Sequence, residues 1–231
     1  PHHIPVKVAL VGSKGALPLS SKGEKSLLLE LTKEDQIFSF KGIKEQPVPS
    51  LLQGFSAPVK LLYPYTFNDL AALISRDSDG FNRWNASQRL STDLMEPMQR
   101  EYRKNCHLEL NRSLCDAFSY VINDPGDDLA MQALILTLPS ESTMAELSEE
   151  IDVEAIHAVR TFMLRELGKN MTKQWKGLYF DNLGSGPYVH NGKEVGRRSL
   201  KNLALRYLSN AKTDDSLQLL EKQISNSDNM T

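Results

Sequence analysis

Five histidines are the first residues to test for chemistry, because imidazole serves both as a general base and as a metal ligand. None is followed by glutamate, so the H-E-x-x-H pattern, which sets two imidazoles and a glutamate base on one helix face, is missing. His2 and His3 are adjacent and point to opposite faces of any strand, whereas zinc needs three or four converging ligands. His107, His157 and His190 lie far apart and have no carboxylate at metal-ligand spacing. His157, between Ile156 and Ala158 on a helix, is expected to be satisfied or exposed. Cys106-His107 offers a thiol beside an imidazole, the pairing that activates a nucleophile. Neighbours in sequence point apart, however, and working pairs are spatial, so no nucleophile is expected there. Cys115 sits beside Leu114 and near Phe118 and is expected to be a small buried apolar residue.

The other motifs are equally bland. Asp77-Ser78-Asp79-Gly80 begins like a calcium loop but lacks the later acidic ligand and the bidentate glutamate, so it reads as a turn leading into a capped helix. Gly12-Ser13-Lys14-Gly15 and Gly184-Ser185-Gly186 lack the spacing of a phosphate-cradling loop. Arg197, Arg198, Lys201 and Arg206 form a basic flank on one helix, expected to be a solvated face with ion pairs. Asn-x-Ser/Thr sequons at Asn85, Asn111, Asn170 and Asn229 carry little weight, and Asn111 is already a helix cap. No residue is therefore assigned a catalytic, metal-binding or cofactor-binding role.

Composition narrows the class. Lys and Arg total 27 against 29 Asp and Glu, without the basic excess of a nucleic-acid binder. No stretch approaches the roughly 20 apolar residues that span a bilayer. Two cysteines outside a C-x-x-C pair favour a reducing, cytoplasm-like compartment. No secretory leader is recognised, and the first residue is Pro1, which leads to the expectation of a segment of something longer.

The elements that would have to position any site fall into two regimes, changing near residue 65. Before it, strands are expected at residues 4–11, 27–32, 36–40 and 58–63, as in a small antiparallel sandwich or barrel. After it the period is helical. Thr66 to Asp69 has the form of a capping box for a helix bearing Leu70, Leu73 and Ile74. A second helix carries Phe81, Trp84, Leu90, Leu94 and Met98, with Pro97 expected to kink or end it. Asn111 caps a third, stopped at Asp124-Pro125-Gly126, and residues 129–138 form a short fourth ending at Pro139. Asp152 caps one long helix running from Ile156 through Trp175 to Leu178. Leu200, Leu203, Ala204, Tyr207 and Leu208 form the cleanest helical stripe, and Leu217, Leu220 and Ile224 begin a last helix. Short loops between helices imply a bundle or a curved solenoid, without a strict repeat in sequence. Thr231 follows that helix closely, without the polar capping repeat such arrays need, a second reason to expect a segment.

Several blocks resemble aminopeptidases N of bacterial type, zinc-dependent alanyl aminopeptidases of the gluzincin class. They are Q-P-V-P-S-L-L-Q-G-F-S-A-P-V at 46–59, D-S-D-G-F-N-R-W-N-A at 77–86, L-T-L-P-S at 136–140 and M-A-E-L at 144–147. Ile151-Asp152, Ala155-Ile156, R-S-L-K-N at 198–202, L-R-Y-L at 205–208 and Asn229-Met230-Thr231 follow in the same order. The resemblance implies a small immunoglobulin-like β-sandwich at 1–65, its first strand missing, followed at 66–231 by the first portion of an irregular α-helical solenoid or bundle. It also implies that the zinc motif, its second glutamate and the G-A-M-E-N motif lie upstream of the matched region, so none maps onto this sequence.

The role implied is non-catalytic support. The sandwich would hold the helical domain against the catalytic domain, and the helical domain would wall the zinc cavity, in an enzyme that removes N-terminal amino acids from peptides. Zinc belongs to that parent enzyme and is not bound by this chain. The partners implied are the catalytic domain and, through it, peptide substrates, with no nucleic acid and no membrane; the location is cytoplasmic, or organellar in a eukaryote. Alternative readings are a free-standing helical-repeat interaction module, an inactive truncated paralogue, and a self-sufficient hydrolase, which the residue inventory disfavours.

Overall fold

Val8, Ala9, Leu10 and Val11 are four consecutive apolar residues, all under 8% exposed, the signature of a strand covered on both faces and flanked on both edges. They lie in β1 (Ile4–Gly12), the common strand of a four-stranded antiparallel sheet. In this computed structural model, which describes residues 3–124, 126–184 and 188–227, β1 pairs with β2 (Gly15–Ala16), β3 (Ser26–Leu31) and β4 (Val48–Leu51). Registers run from Ile4 opposite Leu31 to Ala9 opposite Ser26, and from Val8 opposite Leu51 to Val11 opposite Val48.

Two expected strands do not pair, and two unexpected ones, β2 and β4, do. Residues 36–40 are extended without a ladder; the Gln36 side chain instead accepts from Thr32 N–H at 3.0 Å and donates to the Glu30 carbonyl at 3.0 Å, beside β3. Residues 58–63 also lack a ladder, with local Val59 N–H to Ala57 and Tyr65 N–H to Tyr63 carbonyl bonds at either side. β4 contains Pro49, a residue that argues against a strand unless its missing N–H faces an edge. The Pro49 carbonyl accepts instead from the Tyr65 hydroxyl at 2.7 Å.

The chain packs as two compact units, residues 1–87 and 88–231. In the first, α1 (Phe67–Arg76) starts with the expected capping box of Thr66 and Asp69 and packs Leu70, Leu73 and Ile74 inward. The second unit begins within α2 (Gly80–Arg103), which buries Leu90, Leu94, Met95 and Met98. Pro97 neither ends nor shortens α2: it costs one ladder bond, and the buried stripe continues on both sides of it.

Six further helices complete the second unit up to residue 211, with a seventh beyond it: α3 (Arg112–Asn123), α4 (Leu129–Ile135), α5 (Glu141–Leu147), α6 (Val153–Asn170), α7 (Thr172–Asp181), α8 (Gly192–Ala211) and α9 (Ser216–Ser225). Asn111, Asp128, Ser140, Asp152 and Asn191 each accept backbone N–H bonds as N-caps. The fourth helix ends at Ile135, three residues before the expected limit, and α5 is a helix that periodicity did not announce. The single long helix expected from Asp152 is two, broken at Met171 (φ −120°, ψ 23°), where Thr172 Oγ1 turns back to the carbonyls of Gly168 and Lys169. α8 is the hub, packed against α4, α6, α7 and α9, and its stripe of Leu200, Leu203, Ala204, Tyr207 and Leu208 is buried throughout. Among the described residues no helix is long and apolar enough to cross a membrane. The expected stop at Pro125, the loop at 185–187, His2, and the segment around Asn229 lie outside the described residues.

Candidate functional site

The side chains singled out for chemistry do not converge. His3 lies 3.4 Å from Glu30 and His157 2.9 Å from Glu141, two exposed pairs with one carboxylate each. Cys106 is exposed, its Sγ 3.9 Å from the Lys104 carbonyl, and His107 and His190 are exposed too. His107 lines a shallow groove of about 300 Å³ with Glu101, Glu109 and the apolar edge of α2. Cys115 is half-buried and not enclosed as expected, because it stands off the Leu114/Phe118 face; burial and the neighbouring Asp116 push its thiol upward. Among the described residues no three His, Cys, Asp or Glu side chains gather as a metal site.

What the polar residues build instead are clamps on the backbone. In the first unit, Asp77 is 5% exposed and accepts from Gln53 Nε2 at 3.1 Å and from Asp79 N–H at 3.0 Å through the same oxygen. Gln53 Nε2 and Asn82 Nδ2 both donate to the buried Ser50 hydroxyl, at 3.1 and 2.8 Å, and Asn82 also reaches the Leu51 carbonyl. Asp79 caps the start of α2 by accepting from Asn82 N–H at 2.8 Å, and its second oxygen takes Gly54 N–H at 2.8 Å. This knot ties the end of β4 to the elbow between α1 and α2, and holds a turn in which Leu52 (φ 59°) and Phe55 (φ 55°) are left-handed. The other Asp77 oxygen is buried without a partner, and burial raises the carboxyl above its usual range despite bonds from Ser50 and Gln53. The Asp-Ser-Asp-Gly turn thus behaves as read, with a network the sequence did not reveal.

In the second unit, the connection between α4 and α5 is held by side chains from α6 and α8. Tyr207 donates to the Leu136 carbonyl at 2.8 Å, and Arg160 Nε donates to the Pro139 carbonyl at 2.7 Å. Tyr207 stacks on Trp175 with centroids 4.1 Å apart and planes within 9°, and Trp175 Nε1 donates to the Leu167 carbonyl at 3.1 Å. Burial raises the Tyr207 phenol well above its ordinary range, and burial together with Arg206 lowers Arg160. The Tyr207 and Trp175 rings stay neutral donors at any ordinary pH. Their signals in sequence were faint: Tyr207 read as one more position of the apolar stripe, and Arg160 was not singled out.

The basic flank on α8 is only partly a solvated face. Arg197 pairs with Glu194 at 2.7 Å, which holds that carboxyl below its usual range. Arg198, by contrast, is 5% exposed, lies over the Tyr188 ring at 4.6 Å and donates to the Val189 carbonyl at 3.1 Å. These side chains fix backbone, and among the described residues no nucleophile, base and oxyanion donor come together.

Comparison with known proteins places both parts. Residues 67–231 match a family described as a domain of unknown function (DUF3458_C) with ARM repeats, and residues 1–64 match one described as a domain of unknown function (DUF3458) with an Ig-like fold. Aminopeptidase N of Haemophilus influenzae is 35% identical over 231 residues, covering 99% of this chain and 26% of the relative. Aminopeptidase N of Escherichia coli is 35% identical over 233 residues, covering 100% of this chain and 27% of the relative. The crystal structure of Legionella pneumophila aminopeptidase A in complex with aspartic acid superposes with a TM-score of 0.78 at 27% identity, over 100% of this chain and 27% of that one.

Proposed function

Because the chain belongs to the aminopeptidase N family, as its immunoglobulin-like and helical parts, we propose that it is a non-catalytic supporting segment of a zinc aminopeptidase. The observation that carries this reading is alignment over the whole chain to relatives of which it spans only about a quarter, 26% and 27%. Residues 1–65 act as the immunoglobulin-like domain and 66–231 as the helical domain. The first holds the second against the catalytic part of the enzyme, and the helices wall its cavity. The parent reaction is removal of N-terminal amino acids from peptides, in the cytoplasm or an organelle.

Zinc, when bound by such an enzyme, supplies a Lewis acid and an activated water. The described residues of this chain do not fit the ion. Zinc requires three or four ligands, and the histidines at hand form pairs with single glutamates. No chemical step is assigned to any residue here. What the chain contributes is shape: the Trp175–Tyr207 stack, the Arg160 and Tyr207 clamps and the Asp77 knot hold helices and turns where a wall needs to be rigid.

Turnover of alanyl p-nitroanilide and the zinc content of the purified chain test the reading. The expected result is no hydrolysis and no stoichiometric zinc, with hydrolysis present when the same residues are joined to the remaining part of an enzyme of this family. Chelator-sensitive turnover by the isolated chain would overturn it.

A further inference from the structure

Arg160 of α6 is 9% exposed and, among the described residues, forms no ion pair. Its Nε is fixed on the Pro139 carbonyl at 2.7 Å. Neither of its Nη groups has an acceptor among the described residues, and neither is enclosed, so the open edge of the fork meets solvent. Arg206, one position before Tyr207 on α8, is exposed and forms no ion pair among those residues either. Burial first, and the Arg206 charge second, lower the Arg160 pKa. Both cations also act on the Tyr207 phenol, whose hydroxyl sits on the Leu136 carbonyl. The two guanidinium groups are therefore neighbours beside residues 136–139, and they repel each other. Glu141 acts on Arg160 less than Arg206 does, and its Oε1 lies 2.9 Å from His157 Nδ1. Taking a charge out of water costs free energy that a partner normally offsets. A guanidinium held by its Nε presents the planar Nη edge in one orientation, which suits two oxygens of a single anion.

We propose that Arg160 and Arg206 form a site for a phosphate group, approached from solvent beside the connection between α4 and α5. Arg160 takes two of its oxygens through Nη1 and Nη2, and Arg206, on an exposed side chain, closes on a third. The class follows from charge and shape. Two cations without ion pairs match an anion of nearly double charge, as a phosphate monoester is at neutral pH. A carboxylate would leave one positive charge over. Three oxygens in tetrahedral array also let two separate guanidinium groups bind at once, whereas a carboxylate offers two oxygens in one plane. The proposal is independent of the supporting role, since it needs only α6, α8 and the 136–139 connection.

The test titrates the 231-residue chain into inorganic phosphate or phenyl phosphate at about pH 7.5, where the monoester is mainly dianionic. Sodium chloride keeps the ionic strength constant, and the phosphorus NMR line width is followed. Saturable broadening is expected, with half-saturation in roughly the millimolar range, what a few charge-assisted hydrogen bonds supply after the losses of binding. Arg206→Gln weakens it at least roughly tenfold, the worth of one such bond. Because Arg206 is exposed, the urea midpoint of that variant in sodium chloride stays at the parent value, which separates lost binding from lost folding. Arg160→Lys, which keeps the charge and loses the fork, also weakens binding. Broadening of inorganic phosphate alone makes the occupant a free ion; broadening of both ligands makes it a phosphate monoester whose remainder lies outside the site.

No saturable broadening, or the same half-saturation in the parent and Arg206→Gln, overturns the proposal. So does acetate that displaces phosphate at equal concentration, which would make the site one for carboxylates. None of these outcomes bears on turnover or zinc content, so the phosphate site and the supporting role fail separately.

Discussion

Tyr207 stacks on Trp175 while its hydroxyl donates to the Leu136 carbonyl, so Tyr207→Phe removes a single hydrogen bond and leaves the stack in place. The carbonyl left behind is enclosed, and the expected cost is about 1–2 kcal/mol in urea unfolding. Asp77 gives the residue scale its pH dependence. Its folded carboxyl is raised by burial, so between the unfolded value and that higher folded value the native state holds more protons than the unfolded one. Stability contributed there is present at low pH and falls as pH rises through the window. Asp77→Asn keeps an oxygen for Gln53 Nε2 and Asp79 N–H and cannot ionise. Its urea midpoint should therefore gain on the parent's as pH rises from about 4 to 7; a constant difference between the two would show that the carboxyl is not perturbed. None of this was legible beforehand. A capping aspartate announces itself by position, but a buried carboxylate depends on Ser50 and Gln53, remote in sequence, and Arg160 reaches a carbonyl that belongs to a different helix pair.

Helices were the most readable elements, because their starts carry local chemistry: Thr66 with Asp69, Asn111 and Asp152 accept the N–H groups their side chains were expected to take. Strands depended on partners and fared worse. Residues 36–40 and β4 show opposite errors, one with the right pattern and no ladder neighbour, the other with a proline and yet a four-residue ladder on β1. The break between α6 and α7 was hidden because apolar residues keep helical spacing across Met171. One turn before it, α6 packs closely on α8. Gly168, near the end of α6, faces the Tyr207 carbonyl and the Ala211 side chain of α8, and a Cβ there would stand 2.9 Å from Ala211 Cβ and closer still to the carbonyl. Helical propensity favours alanine over glycine by about 1 kcal/mol, yet the obstacle is backbone and cannot rotate away. Gly168→Ala is thus expected to lose about 2–3 kcal/mol through overpacking, measured as a lowered urea midpoint. A neutral or stabilising effect would mean that α6 and α8 are not held at this separation.

At the scale of the whole molecule, the division into a strand-rich beginning and a helical remainder was legible from periodicity alone, since periods of two and 3.6 residues are hard to confuse over long stretches. Which faces meet was not. Leu217, Leu220 and Ile224 share one side of α9, the stripe that marks the expected inward face. In the fold it is Ser216 and Leu219 that are buried, and Gln223 donates to Asn202 of α8 at 2.8 Å. Leu217 and Ile224 remain 64% and 74% exposed. An amphipathic helix states that one side should be covered and says nothing of which neighbour covers it, so this stripe could be read but not placed. Exposed apolar side chains add little to the stability of the chain that carries them and raise its tendency to associate. Leu217→Lys with Ile224→Lys is therefore expected to leave urea unfolding within about 0.5 kcal/mol of the parent, while light scattering sets in at a higher protein concentration. A large loss of stability would instead mean that these two side chains are packed in solution, and that α9 sits against α8 by its other face.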